Sequence, residues 1–217
     1  PPLRKLFEVA NLRELATFID SSAPQHARSS GRVVPVAEQD SAPLSLMQQR
    51  VWVMELIHPG RAAYHIPSAH RLLGPLDESA LERAAQMLVA RHPALRTTIS
   101  GETQPMQCVR ASVEFSLLPC EDLSALPAPQ RQARLAERLH ALTHQTFDLT
   151  AGPLFRMRLL RLSAQEHVLQ LTLHHIISDG WSIRLMVDAL SALYVAEVQG
   201  QPAQLPALPI QYADFAL

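Results

Sequence analysis

The chain has 217 residues, 47% hydrophobic and 18% charged, which permits a sizeable core and argues against general disorder. With 19 basic and 20 acidic residues the net charge is -1, and no dense basic stretch marks a nucleic-acid-binding surface. No run of about 18 apolar residues offers a membrane span. The first residues lack the apolar stretch and cleavage site of a signal peptide. Cys108 and Cys120 alone make neither a disulfide framework nor a Cys-rich zinc site, so a reducing, cytoplasmic setting is expected.

Asn11 and Glu14 form an N-terminal capping signature, and Leu12, Leu15, Ala16 and Ile19 follow at helical spacing. A helix this short is marginal alone. Residues 21–40 are rich in Ser, Ala, Pro, Gln and Arg without a sustained period, which predicts an interdomain linker. From residue 41 the pattern is that of an α/β unit. Ser45 caps a helix with Met47, Val51, Trp52 and Leu56 on roughly one side. Asp77 caps a second, with Leu81, Ala84, Ala85, Leu88 and Val89 as its core stripe. Residues 95–100 and 105–110 read as strands around a turn at Gly101, and 113–118 as a further strand. Pro129–Thr146 reads as a helix facing inward with Leu135, Leu139 and Leu142. Phe155, Met157 and Leu159 alternate with arginines, and 168–175 is another strand. A last helix runs from near Ser182 to Val198, before Gly200. The tail from Pro202 has little period.

The chemistry-bearing segment is LQLTLHHIISDGWS at 169–182. By strand parity His175 shares a face with Leu169, Leu171 and Leu173, and His174 shares the other with Gln170 and Thr172. A cleft therefore receives one histidine. A strand-to-helix turn at a strand's carboxyl end is a frequent place for a site, and a neutral imidazole there accepts a proton or holds an amine. Asp179 either orients an imidazole or anchors the turn through an arginine. Gly180 permits torsions that a side chain hinders. The alternative is a hydrogen-bonded core histidine beside a structural aspartate.

HHIISDG at 174–180 resembles the HHxxxDG motif of the condensation domains of nonribosomal peptide synthetases. Further stretches resemble the same family in the same order. SLMQQRVWVMEL at 45–56 is similar to its first helix motif, and YHIPSA at 64–69 to its Y-x-I-P-x-A segment. RHPALRTTI at 91–99 resembles R-H-x-x-L-R-T-x-F, with Ile99 where Phe is usual. FDLTAGPLFRMRLLRL at 147–162 resembles the strand region before the site, and YADFAL at 212–217 the start of Y-x-D-Y-A-x-W. Residues 1–20 resemble the last helical region of a peptidyl carrier protein. Its phosphopantetheine-bearing serine motif does not occur here, so Ser21, Ser22, Ser29 and Ser30 are not attachment sites.

The resemblance implies a chloramphenicol acetyltransferase-like fold, a mixed sheet with packed helices. Residues 41–217 correspond to the amino-terminal lobe, one half of a two-lobed pseudo-dimer whose carboxyl-terminal lobe is missing. It implies peptide-bond formation between carrier-bound aminoacyl or peptidyl thioesters. HHIISDGWS points to an L-configured donor joined to an L-configured acceptor. His175 is then catalytic, as a base or by positioning the amine. His174 is structural, with its ring satisfied by the backbone. Asp179 forms a buried ion pair, with Arg91 favoured over Arg96. Gly180 leaves room at a tunnel, and Trp181 lines it or is a core aromatic. No cofactor binds directly, because the substrates ride on carrier phosphopantetheine. The partners implied are upstream and downstream carriers and the missing lobe, with no nucleic acid or membrane. The apolar character of the exposed lobe face suggests a dimer through it.

Three alternatives stand beside this. The chain alone is a non-catalytic carrier-binding platform, since a cleft needs two walls. A coenzyme A-dependent acyltransferase of the same fold is disfavoured by the ordered matches. His140 and His144, spaced i,i+4, suggest zinc, but the helix lacks the Glu of H-E-x-x-H and a third ligand. Arg50 is expected on a helix surface, and both cysteines as ordinary thiols.

Overall fold

The structure, a computed structural model, describes residues 11, 13–14, 33–35, 40–101 and 103–217. It divides into two units, Pro1–Val34 and Pro35–Leu217. In the first, the Glu14 N–H donates to Asn11 Oδ1 at 3.0 Å, and Asn11 Nδ2 donates to Glu14 Oε1 at 3.1 Å. Leu12, Leu15, Ala16, Ile19 and nearly all of the expected linker lie outside the described residues.

The second unit runs β1 (Ser41–Pro43), α1 (Leu46–Ile57), β2 (His65–Leu73), α2 (Glu78–Arg91), β3 (Thr97–Ser100), β4 (Met106–Val109), β5 (Glu121–Asp122), α3 (Ala128–His144), β6 (Phe155–Ser163), β7 (Glu166–His174), α4 (Gly180–Gln199) and α5 (Tyr212–Ala216). The helix starts follow local chemistry. Ser45 and Gln48 form a reciprocal capping box at α1. Asp77 accepts from the Ala80 N–H at 2.9 Å and caps α2. Gly200 ends α4 in the left-handed conformation, at φ 64°, and its N–H reaches back to the Ala196 and Glu197 carbonyls.

Two sheets result. The smaller is antiparallel in the order β1-β4-β3. The larger is mixed, in the order β2-β7-β6-β5, with β5 parallel to β6 and the other pairs antiparallel. β7 lies between two long neighbours, His65 opposite His174 and Phe155 opposite Leu173. Its outward parity is buried as well as its inward one. Leu169, Leu171 and Leu173 join Phe155, Met157 and Leu159 against Leu81, Leu88, Met186 and Leu190 of α2 and α4. On the other face Val168, Leu160 and Leu162 meet Leu135 of α3, and Gln170 Nε2 donates to the Leu139 carbonyl at 3.0 Å. A third cluster joins Leu44, Ile99, Leu154 and Ile176 with Val51 and Trp52 of α1. It ties α1 to the turn after β7. Each such aliphatic side chain contributes about 1.5–3 kcal/mol by burial.

The expected strand over 113–118 is absent as a ladder. Val113, Phe115 and Leu117 still pack into the core, but the Leu117 and Leu118 N–H groups donate to Glu82 Oε2 at 2.6 and 3.2 Å. A side-chain carboxylate takes the place of a partner strand.

Candidate active site

β7 ends at His174, and His175 emerges from the core at the first residue of the following turn. That reconciles its parity with the leucines and its exposure. The His175 N–H donates to the Tyr64 carbonyl at 2.8 Å. Its Nδ1 lies 2.8 Å from the Ser178 carbonyl. A carbonyl only accepts, so Nδ1 carries the proton and the neutral ring has its lone pair on Nε2.

His174 is buried. Its Nδ1 accepts the Ile176 N–H at 3.1 Å. Nε2 therefore carries the hydrogen, and it lies 3.3 Å from Glu55 Oε1. Burial, with His65 and His175 adding like charge, pushes the His174 pKa down to about 4. Burial also raises the Glu55 carboxyl above its ordinary value. Both shifts come chiefly from loss of water rather than from mutual attraction. The contact is thus a neutral imidazole N–H donating to a Glu55 carboxyl oxygen, not an ion pair.

The rest of the turn is held as closely. Gln48 Nε2 donates to the Ile176 carbonyl at 3.1 Å. Ser178 Oγ donates to the His174 carbonyl at 3.0 Å. Gln48, Glu55 and Tyr64 lie within the stretches that resemble family motifs, but nothing in the sequence shows which of their neighbours they face. The acceptor that Ser178 offers to His175 is a backbone carbonyl, which leaves no sequence signal.

Asp179 corrects an expectation. It caps α4 rather than forming a buried ion pair. Its Oδ1 accepts from the Ser182 N–H at 2.8 Å and from Ser182 Oγ at 2.6 Å, and the Asp179 N–H donates to Ser182 Oγ at 3.1 Å. These bonds hold its carboxyl below the usual carboxylate range. Arg91 instead donates to the Pro206 carbonyl. Arg96 donates to the Arg110 and Ala111 carbonyls. Both arginines thus donate to backbone carbonyls rather than to Asp179.

Gly180 is the first residue of α4 and its φ lies outside the left-handed region. A Cβ there meets no atom within 4 Å among the described residues. Its torsions do not demand glycine, and the space around it is open. Trp181 is 68% exposed, which removes the core-aromatic reading. Among the described residues it is not part of the cleft wall beside His175.

That cleft has a volume of about 1230 Å³. Leu46, Met47, Val53 and Met54 of α1 supply an apolar wall, and Tyr64, Asp179, Ser182 and Tyr212 add polar groups. Arg50 is exposed, as a helix-surface arginine should be, and also lines the cleft. His140 and His144 stack at 4.1 Å on α3, away from it. Among the described residues no group of three or more His, Cys, Asp and Glu side chains is placed to hold a metal. No helix among them is long and apolar enough to cross a membrane. Cys120 packs against the main core, and burial pushes its thiol up to about 11.

A mixed sheet between helices, with a histidine delivered by the turn after its central strand, defines a chloramphenicol acetyltransferase-like α/β lobe. More narrowly, the chain belongs to the condensation domain family, whose model, "Condensation domain", matches residues 38–217. A linear gramicidin synthase of Brevibacillus parabrevis is 38% identical across 100% of this chain, which spans 4% of that protein. The X-domain from teicoplanin biosynthesis superposes with a TM-score of 0.74 at 32% identity, over 85% of this chain and 39% of that one. The first condensation domain of the calcium-dependent antibiotic synthetase, solved with a substrate analogue, gives 0.69 at 26% identity, over 78% of this chain and 41% of that one.

Proposed function

We propose that this chain is the amino-terminal lobe of a domain that forms peptide bonds between two carrier-bound thioesters. The observation that carries the reading is the His175 imidazole, with Nδ1 tied to the Ser178 carbonyl and Nε2, without a hydrogen-bond partner among the described residues, at an open cleft. The acceptor's amine attacks the donor's thioester carbonyl. A C–N bond forms, the C–S bond breaks, and the sulfur leaves as thiolate. The amine's surplus proton passes to His175 Nε2 and from there to the thiolate. His175 also aligns the amine, and much of the acceleration comes from holding two activated reactants together.

The segment HHIISDGWS supports an L-configured donor and an L-configured acceptor. Residues 1–20 are the end of an upstream carrier on this reading, and residues 21–40 the linker to the lobe. A second, downstream carrier delivers the acceptor. The arms that hold both substrates belong to the carriers, so the lobe needs no cofactor of its own. The apolar α1 wall is where the second lobe closes the cleft, or a second copy of this chain in its absence. A lobe without a facing second lobe forms no peptide bond on this reading.

The test uses the two-lobed domain with both carriers loaded, with product followed by mass spectrometry. His175→Ala lowers the rate by about 10²–10⁴-fold. Wild-type rates in His175→Ala overturn the proposal. Equal rates with free coenzyme A thioesters favour a coenzyme A-dependent acyltransferase instead.

A further inference from the structure

α1 turns an unusual stripe inward, with Gln48 buried and Val51, Trp52 and Glu55 half-buried. Its inward positions are Gln48, Val51, Trp52 and Glu55, at the i, i+3, i+4, i+7 spacing of a core-facing helix. The middle pair packs in the cluster around Ile176. The two outer ones are polar, and both reach the same short turn. Gln48 holds the Ile176 carbonyl at 3.1 Å. Glu55, with its side chain 12% exposed, faces the Nε2 of His174, itself 2% exposed. No other ion-pair or hydrogen-bond partner of Glu55 is present among the described residues.

The His174 ring is a bridge between that carboxylate and the backbone. Nε2–H points at Glu55, and Nδ1 receives the Ile176 N–H. The opposite tautomer sets N–H against N–H at Ile176 and leaves Glu55 facing a lone pair. The Glu55 carboxyl and the Ile176 N–H therefore select the same tautomer, and each contact supports the other through the ring. His175 lies between the two anchored residues, and its own Nδ1 bond depends on where that turn places the Ser178 carbonyl.

We propose that Glu55 is a positioning residue: acting through His174 and the Ile176 amide, it holds the 174–178 turn so that His175 presents Nε2 to the cleft. Glu55 touches no reacting atom. Its link to catalysis rests on the reading of His175 above, whereas its link to the His175 tautomer does not.

Two measurements separate these. Histidine side-chain nitrogen NMR on this chain reads the tautomers directly. Wild type and Glu55→Gln, which keeps an acceptor oxygen, show His174 protonated at Nε2 and His175 at Nδ1. Glu55→Leu, which removes the acceptor, gives mixed tautomers at both histidines. Should Glu55→Leu fail to fold, Glu55→Asp draws the carboxylate back by one methylene and shifts both histidines part of the way. In the two-lobed domain with loaded carriers, Glu55→Leu lowers kcat on the order of 100-fold with little change in KM. Glu55→Gln restores it to within about threefold. A folded Glu55→Leu or Glu55→Asp protein with an unaltered His175 signal overturns the proposal, and so does an unchanged kcat. A wild-type domain that makes no peptide bond counts against the proposed function, and the NMR result still decides the role of Glu55.

Discussion

His174 does its work by staying neutral. Its pKa of about 4 lies below the ordinary value near 6.5, so between those pH values the unfolded chain binds the extra proton. The stabilisation is complete above about pH 6.5 and is lost as pH falls towards 4, amounting at most to about 3 kcal/mol. Burial lowers the His65 pKa too and adds to the loss. The raised carboxyl of Glu55 opposes it in the acid part of the window. Urea unfolding of this chain at successive pH values is expected to show stability falling from pH 7 to 4. His174→Gln, without a titrating ring, is expected to flatten that slope. An equal slope in the variant places the titration elsewhere.

At the scale of elements, α4 begins where Asp179 and Ser182 exchange hydrogen bonds. An N-cap accepts Asn as readily as Asp. Asp179→Asn is therefore expected to melt close to wild type, while Asp179→Ala loses about 1 kcal/mol. Loss of several kcal/mol in Asp179→Asn points to a buried ion pair after all. Caps of this kind are legible in sequence because they are local. Ser45, Asp77 and Gly200 mark their helix ends within a few residues. Strand parity is equally legible and separates His174 from His175. The 113–118 segment misleads because its alternation is real while its N–H groups are satisfied by Glu82. Partners distant in the chain are the illegible part. The motif suggests an arginine for Asp179, whereas Arg91 and Arg96 each close on a carbonyl. Glu55 is invisible for the same reason, since only the packed α1 shows what it faces.

At the scale of the whole molecule, one cleft wall is apolar and uncovered. Leu46 is 78% and Met47 62% exposed, and Val53 and Met54 continue the surface. Contiguous exposed apolar surface of this kind marks a contact site. Sedimentation of this chain is expected to show concentration-dependent association, which the double substitution Leu46→Lys, Met47→Lys abolishes without lowering the melting temperature by more than a few degrees. A monomer at high concentration in the unsubstituted chain refutes that expectation. The route of the chain through the site has a separate consequence for domain recombination. Gln48, Glu55 and Tyr64 come early, the turn they hold comes after β7, and β2 and β7 pair along their whole length. A crossover placed anywhere between α1 and β7 draws the turn from one parent and its anchors from another. Chimeras that keep residues 45–73 and 166–182 from a single parent retain a matched set, and those cut between them inherit two halves that were never fitted to each other.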